Sequence, residues 1–372
     1  MPDEIYNPGL EGVIAGETAV STIAGGLLYR GYAIEDLASH ASFEEVAFLL
    51  LHEKLPTGED LADFRTRLGE AAAVPAQILE MLKKLPARTS PMDVLRTSAS
   101  MIALWDPDRQ DNSHDANVGK AERLLAQLPV LTAARHRIKQ GKEPVAADSR
   151  RSLAENLLWM LFRREPKAEH VRAIDVSLIL YAEHEFNAST FTARVICSTL
   201  ADLHSGIVGA TAALKGPLHG GANERVMEVL QEVGTPDKAE AWVRQALDQK
   251  RRIMGFGHRV YKDGDPRAAF LKPLCADLAK QTGNQRVEET ADTIERIVRD
   301  EKKLPPNLDW PSARLYHYLG IPVELYTPLF VLSRVAGWSA HVIEQHDANR
   351  LIRPRSRYTG PPRRDWLPME SR

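Results

Sequence analysis

Residues 325–345 read LYTPLFVLSRVAGWSAHVIEQ, with apolar side chains on all sides of a helical period and only scattered polar interruptions. Such a run predicts a long, mostly buried helix rather than one with a single wet face. A second helix is predicted over 167–184, where Val171, Ile174, Leu178 and Tyr181 recur at helical spacing and carry the chain to Glu183, His184 and Glu185. Ser42 with Glu45 and Ser90 with Asp93 form capping patterns that mark two more helix starts. Further helices are predicted over 58–72, 76–85, 117–140 and 149–163, punctuated by Pro and Gly. Only GVIAGETAVSTIAGG, residues 12–26, reads otherwise, as a short hairpin or irregular arm. Strands alternating with helices are absent, which disfavours a doubly wound nucleotide fold, and the expected fold class is all-α.

At 372 residues the chain exceeds the length that one core usually serves, roughly 250 to 300 residues. A composition break falls at Lys215-Gly216-Pro217-Leu218-His219-Gly220-Gly221, after an Ala, Thr and Ser-rich stretch from 188 to 214 that suits close helix packing. Residues 222–304 then read as charged, short amphipathic helices. The expectation is a large helical domain of residues 1–218 and 321–372 with a smaller one, 219–320, inserted in it. Apolar residues make up 44% and charged residues 26%, which excludes a disordered chain. The net charge is −2, and the 48 basic residues are dispersed, so no nucleic-acid partner is expected. Two cysteines, Cys197 and Cys275, are too few for a disulfide framework or a tetrathiolate zinc site and point to a reducing compartment. The N-terminus lacks a leader pattern and no apolar run reaches the roughly 18 residues of a membrane span. A cytoplasmic location is expected.

Three glycine- or proline-flanked turns carry titratable groups. KGPLHGGANE holds His219 where glycine permits close backbone approach to a ligand. RIMGFGHRVYKDGDPRA sets His258 after two glycines and follows it with Arg259, Lys262 and Arg267, a histidine amid cations that bind anions. In NLDWP, Asp309 lies between Pro306 and Pro311 beside an indole, a setting that raises a carboxyl towards a useful base. GFG lacks the Gly-Lys-Ser/Thr that completes a phosphate-cradling loop, and HExxH is absent. The twelve histidines do not pair at metal-ligand spacing, so neither metal nor cofactor is expected.

Taken in order, GPLHGGAN, GFGHRVYKxxDPR and NxD ahead of an apolar helix with SR resemble the citrate synthase family. The resemblance runs from GLEGV and LLYRGYAIEDLA through YAEHEFNASTFTAR to LIRPRSRYTGP. It implies an acyltransferase of the tricarboxylic acid cycle with a two-domain helical fold, condensing acetyl-CoA with oxaloacetate. Asp309 would deprotonate the acetyl methyl, His219 would hydrogen-bond the thioester oxygen, and His258 would polarise the ketone. Arg267, Arg334 and Arg353 occupy the positions of the dianion's guanidinium partners, with His184 adding a hydrogen bond. CoA would lie along Ile253, Gly255 and Gly257 with Lys262 near the phosphates, while Arg259, Arg355 and Arg357 fit solvated charges equally well. The resemblance further implies a homodimer in which Arg353 reaches the neighbouring site, and closure of the small domain over oxaloacetate.

Where the family often has Asp-Phe-Tyr-Ser, this chain has Asp309-Trp310-Pro311-Ser312, which is expected to alter the shape beside the acyl methyl. 2-Methylcitrate synthesis from propionyl-CoA is therefore the nearest alternative, and a silent scaffold subunit the other. The chain lacks the extra N-terminal domain of NADH-regulated hexameric relatives, so inhibition by NADH is not expected. Trp338, His341 and His346 are read as packing or satisfied side chains.

Overall fold

The computed structural model describes residues 6–258, 260–261 and 263–372, and sixteen α-helices fill them. The long helix Tyr326–Asp347 runs through the interior, buried on every face from Tyr326 to Ile343. It packs against the helices Phe43–His52, His114–Lys139, Ala168–Tyr181, Ala188–Cys197 and Leu203–Leu214. An all-round apolar sequence is what such a central position demands. Pro328 sits in its first turn, where the missing N–H has no helical partner to lose.

Close approach is bought with small residues. A Cβ at Gly206 would come within 2.6 Å of the Cys197 sulfur, so glycine lets the helices Ala188–Cys197 and Leu203–Leu214 touch along the Ala, Thr and Ser-rich stretch. Gly337 does the same for the segment 182–183, whose Glu183 carboxylate and Ala182 carbonyl fill the space a side chain would need.

The arm at 12–26 is less regular than a hairpin. Its one strand, Ser21–Thr22, joins two later ones, Leu28–Tyr29 and Tyr32–Ala33, in an antiparallel sheet of two-residue strands, with Ser21 opposite Tyr29 and Leu28 opposite Ala33. Their purpose is visible at Tyr29, whose buried hydroxyl donates to the Glu183 carbonyl at 2.9 Å and accepts from the Glu183 N–H at 3.1 Å. The helix expected over 167–184 accordingly stops at Tyr181, because the chain must turn at 182–187, with Glu185 at φ 53°, to present His184. The helix expected over 149–163 starts at Leu153 because Ser152 caps it by accepting from the Glu155 N–H. The one expected over 117–140 begins earlier, at His114.

Helices Ala222–Val233, Pro236–Asp248, Pro266–Thr282, Gln285–Lys302 and Asp309–Tyr318 pack chiefly on one another. A buried polar link stitches them: Arg314 Nε lies 3.1 Å from Glu288 Oε2, to which the Tyr318 hydroxyl donates at 2.6 Å.

Candidate active site

His219 sits in the turn between Leu203–Leu214 and Ala222–Val233. The turn is tight: the Gly220 N–H donates to the Leu214 carbonyl at 3.0 Å, and a Cβ on Gly220 would stand 2.5 Å from that oxygen. His219 Nε2 accepts the Ser189 backbone N–H at 3.3 Å and lies 2.8 Å from the Ser189 hydroxyl. A backbone N–H can only donate, so Nε2 carries the lone pair and the ring proton resides on Nδ1. Nδ1 has no hydrogen-bond partner among the described residues. Burial, reinforced by the Arg334 charge, pulls the imidazole down to about 4, so it is neutral at pH 7.

His258 has the opposite tautomer. Its Nδ1 accepts the backbone N–H groups of Val260 at 3.1 Å and Tyr261 at 3.2 Å, which places the proton on Nε2. Its ring stacks on Tyr261 with centroids 4.7 Å apart and meets His184 edge-on at 5.2 Å. His184 Nε2 lies 3.1 Å from the Tyr261 hydroxyl, and burial together with Arg267 and Arg334 holds this histidine well below the usual range.

Asp309 opens the helix Asp309–Tyr318 and is half-buried, with the Arg334 charge acting on it as on His219 and His184. Its Oδ1 accepts the Tyr181 hydroxyl at 2.7 Å, whereas Oδ2 has no partner among the described residues. Burial pushes this carboxyl up to about 6, against the opposing pull of the Tyr181 hydroxyl and the nearby arginines. Here is a carboxylate basic enough to take a proton near neutrality, together with a neutral imidazole, His219, and a second ring, His258, each with its tautomer set by backbone donors.

Asn307 holds two of these loops together. Its N–H donates to the Gly255 carbonyl at 2.9 Å, its side-chain Nδ2 to the Gly257 carbonyl at 2.9 Å, and its Oδ1 accepts the Asp309 N–H at 3.1 Å. The Gly257 N–H donates in turn to the Pro305 carbonyl at 2.8 Å. The spacing of His258 and Asp309 is thus set by backbone pairing and by the Asn307 amide that bridges the two turns.

Arg267 and Arg334 are both buried. Arg267 uses one edge on Asp265, with Nε at 2.9 Å and Nη2 at 2.8 Å. Asp265 also accepts the Leu308 N–H at 3.2 Å and so ties that arginine to the turn carrying Asp309. Among the described residues, Arg334 makes a single hydrogen bond, from Nε to the Tyr181 carbonyl at 2.6 Å. Burial, opposed by Glu183 and assisted by the Arg267 charge, lowers it to about 10. Two buried guanidiniums whose charges act on one another suit a small polyanion. Arg353 lies elsewhere, exposed on the extended tail that follows Tyr326–Asp347.

Outward from His258 a cleft with about 690 Å³ of free space opens. Lys250, Arg251, Arg252 and Lys302 line it alongside Ile253 and Leu304. Gly257, at φ 75°, turns the backbone along its wall, while Gly255, at φ 88°, turns it behind, against Trp310 and Val226. Lys262 and Arg259 lie outside the described residues. Trp310 was expected to alter the shape beside the acyl methyl. It is fully buried, packed on Phe256 at 4.6 Å and against the Gly255 backbone, and so wedges the 253–258 loop in place.

Several participants gave no sequence signal. Tyr181 sits on a helical stripe that reads as core, and Ser189 looks like one more small residue in its Ala, Thr and Ser-rich stretch. Trp338 is core as expected, yet its Nε1–H also donates to the Ser189 hydroxyl at 3.1 Å. His341 is buried against Glu183 at 3.0 Å, and His346 Nε2 lies 3.1 Å from the Ala201 carbonyl, so both are satisfied. Among the described residues no cluster of His, Cys, Asp and Glu could hold a metal, and no helix is long and apolar enough to cross a membrane.

A family model described as the C-terminal domain of citrate synthase matches residues 9–355. Citrate synthase 2 of Bacillus subtilis is 49% identical over 98% of both chains. 2-Methylcitrate synthase 2 of Corynebacterium glutamicum is 46% identical over 98% of this chain and 97% of its own. The citrate synthase of Thermoplasma acidophilum, solved as a ternary complex with carboxymethyl coenzyme A and oxaloacetate, superposes with a TM-score of 0.93 at 34% identity over 99% of both chains.

Proposed function

The chain belongs to the citrate synthase family of acyltransferases, and from that premise we propose that it condenses acetyl-CoA with oxaloacetate and hydrolyses the product thioester to citrate and CoA. The observation that carries this reading is a carboxyl raised to about 6 that shares the field of Arg334 with the neutral His219 and is tied through Asn307 to the turn of His258, the two imidazoles having opposite, backbone-set tautomers.

Asp309 Oδ2 takes a proton from the acetyl methyl, and the C–H electrons move into the enolate, whose oxygen accepts from His219 Nδ1–H. The enolate carbon attacks the oxaloacetate ketone as His258 Nε2–H donates to the ketone oxygen. Each acid or base group of this kind contributes roughly a hundred to ten thousandfold in rate. Arg267 and Arg334 hold the carboxylates, with His184 beside them. Water then cleaves the citryl thioester. The CoA moiety occupies the cleft beyond His258, where Lys250, Arg252 and Lys302 face its phosphates and Ile253, Gly255 and Gly257 its adenine.

The exposed placement of Arg353 on the tail fits a residue that completes the site of a second subunit. The protein is then an obligate homodimer with 219–320 as a closing domain, working in the cytoplasm. Mixing inactive Arg353→Ala and His258→Ala subunits should restore activity in hybrid dimers; mixtures that stay dead would reject action across the interface.

The second reading is 2-methylcitrate synthesis from propionyl-CoA, favoured by the near-equal identity to a 2-methylcitrate synthase. Phe330 bears on the choice, since its ring packs on Tyr181 at 4.4 Å and faces His219 at 6.3 Å, crowding the acyl end. Thiol release from acetyl-CoA and propionyl-CoA, each with oxaloacetate, tests both. A higher kcat/KM on acetyl-CoA supports the first, a propionyl preference the second, and no release from either would overturn the proposal.

A further inference from the structure

Tyr181 touches both halves of this site. It is the last residue of the helix Ala168–Tyr181, it is buried, and its ring packs on Phe330. Its carbonyl takes the only hydrogen bond that Arg334 makes among the described residues, at 2.6 Å. Its hydroxyl lies 2.7 Å from Asp309 Oδ1 and 2.7 Å from the Ser312 hydroxyl. The protons can be assigned. A carboxylate oxygen only accepts, so the phenol proton goes to Asp309. Ser312, fully buried, then donates to the phenol oxygen in preference to the Asp309 carbonyl at 3.4 Å.

We propose that Tyr181 is the positioning residue that joins the keto-acid site to the base: its hydroxyl, aimed by Ser312, occupies Asp309 Oδ1 so that Oδ2 alone meets the acyl methyl, while its carbonyl fixes Arg334. This rests on reading Asp309 as the base. One lone pair set is taken, so the carboxylate cannot rotate freely between its two oxygens, and the proton it accepts is delivered to one atom. The hydroxyl also stabilises the ionised form and works against the burial that raises Asp309 to about 6.

Other charges facing Asp309 are few. Arg267 and its partner Asp265 come from the start of Pro266–Thr282, Arg334 from Tyr326–Asp347, and the Tyr316 hydroxyl from Asp309's own helix, held by Ser177 at 2.6 Å. Glu224 of Ala222–Val233 is committed to the Thr327 hydroxyl and N–H. None of these groups hydrogen-bonds the Tyr181 hydroxyl, and Arg334 bonds the Tyr181 carbonyl instead.

The test is the pH dependence of kcat/KM for acetyl-CoA in Tyr181→Phe, which keeps the ring and the carbonyl. The base must be ionised, so wild-type activity falls as pH drops through about 6. In Tyr181→Phe that limb should move up by about one pH unit, kcat should fall about tenfold at pH 7, and the KM for oxaloacetate should stay within twofold. Ser312→Ala should move the limb in the same direction by less and serves if Tyr181→Phe does not fold. Tyr316→Phe, a neighbouring buried phenol off the carboxylate, should leave the limb in place. Superimposable profiles for Tyr181→Phe, Ser312→Ala and wild type would overturn the proposal, as would an equal shift in Tyr316→Phe. Asp309→Asn separates the two levels: if it retains more than a tenth of the activity, the base assignment itself has failed, whereas a dead Asp309→Asn with an unmoved Tyr181→Phe limb refutes only the role of Tyr181.

Discussion

Ser189→Ala should separate catalysis from stability in a way that few single substitutions here can. The Ser189 hydroxyl lies between His219 Nε2 at 2.8 Å and the Trp338 indole N–H at 3.1 Å, with both Ser189 and Trp338 fully buried. Removing it leaves the indole N–H without an acceptor in the core, which should destabilise the fold by about 1–3 kcal/mol. The imidazole loses the hydroxyl contact at 2.8 Å, whose one proton is shared between Nε2 and Asn187 Oδ1 at 2.7 Å, but keeps the backbone N–H at 3.3 Å, so its tautomer is retained and its orientation loosened. A lost neutral hydrogen bond of about 0.5–1.5 kcal/mol corresponds to roughly a 2- to 12-fold fall in kcat. Thermal unfolding and steady-state thiol release read the two effects independently. The double variant Ser189→Ala/Trp338→Phe removes the orphaned donor and should recover most of the stability while kcat stays low. If the double variant regained full kcat, or if Ser189→Ala lost neither stability nor rate, His219 would owe nothing to this serine and the tautomer argument would fall.

Three further outcomes follow from the same geometry. In Gly255→Ala the new Cβ at φ 88° would stand 2.8 Å from both Trp310 and Val226; left-handed strain of about 1–2 kcal/mol adds to overpacking of about 1–3 kcal/mol, and urea unfolding should show the loss. Asp309 titrates near 6 in the native chain against 3.8 in an unfolded one, so ionisation at pH 7 opposes folding by at most about 3 kcal/mol. Because this acid's native value is raised, that penalty is present above about pH 6 and is relieved as pH falls towards 4. Asp309→Asn should therefore melt higher than wild type at pH 7.5 and lose the advantage near pH 4. Burial pushes both Cys197 and Cys275 up to about 12, so Ellman's reagent should find no reactive thiol in the native protein and two after denaturation.

The helical class was legible because the 325–345 run is apolar on every face and because Ser42, Ser90 and the proline punctuation mark helix ends by local chemistry. His219, His258 and Asp309 were legible because titratable groups flanked by glycine or proline are conspicuous. What stayed hidden is tertiary. Tyr181 has the spacing of a core residue and is one; only the packing reveals that its hydroxyl meets a carboxylate 128 positions later. Trp310 shows the converse: lying next to Asp309 in sequence suggests the pocket, whereas successive helical residues point 100° apart, and the indole turns inward onto Phe256. The pairing of Ser21–Thr22 with Leu28–Tyr29, beyond the arm at 12–26, was not legible because strands of two residues are too short to show an alternation.

The central claim is that Asp309 removes a methyl proton so that the acetyl carbon bonds to the keto acid. It is tested most directly by incubating [2-13C]acetyl-CoA with oxaloacetate and following the product by NMR, for wild type and Asp309→Ala. The label should appear in a citrate methylene with wild type and form at least a hundredfold more slowly with the variant. Citrate formed by Asp309→Ala at a rate within tenfold of wild type would contradict the account.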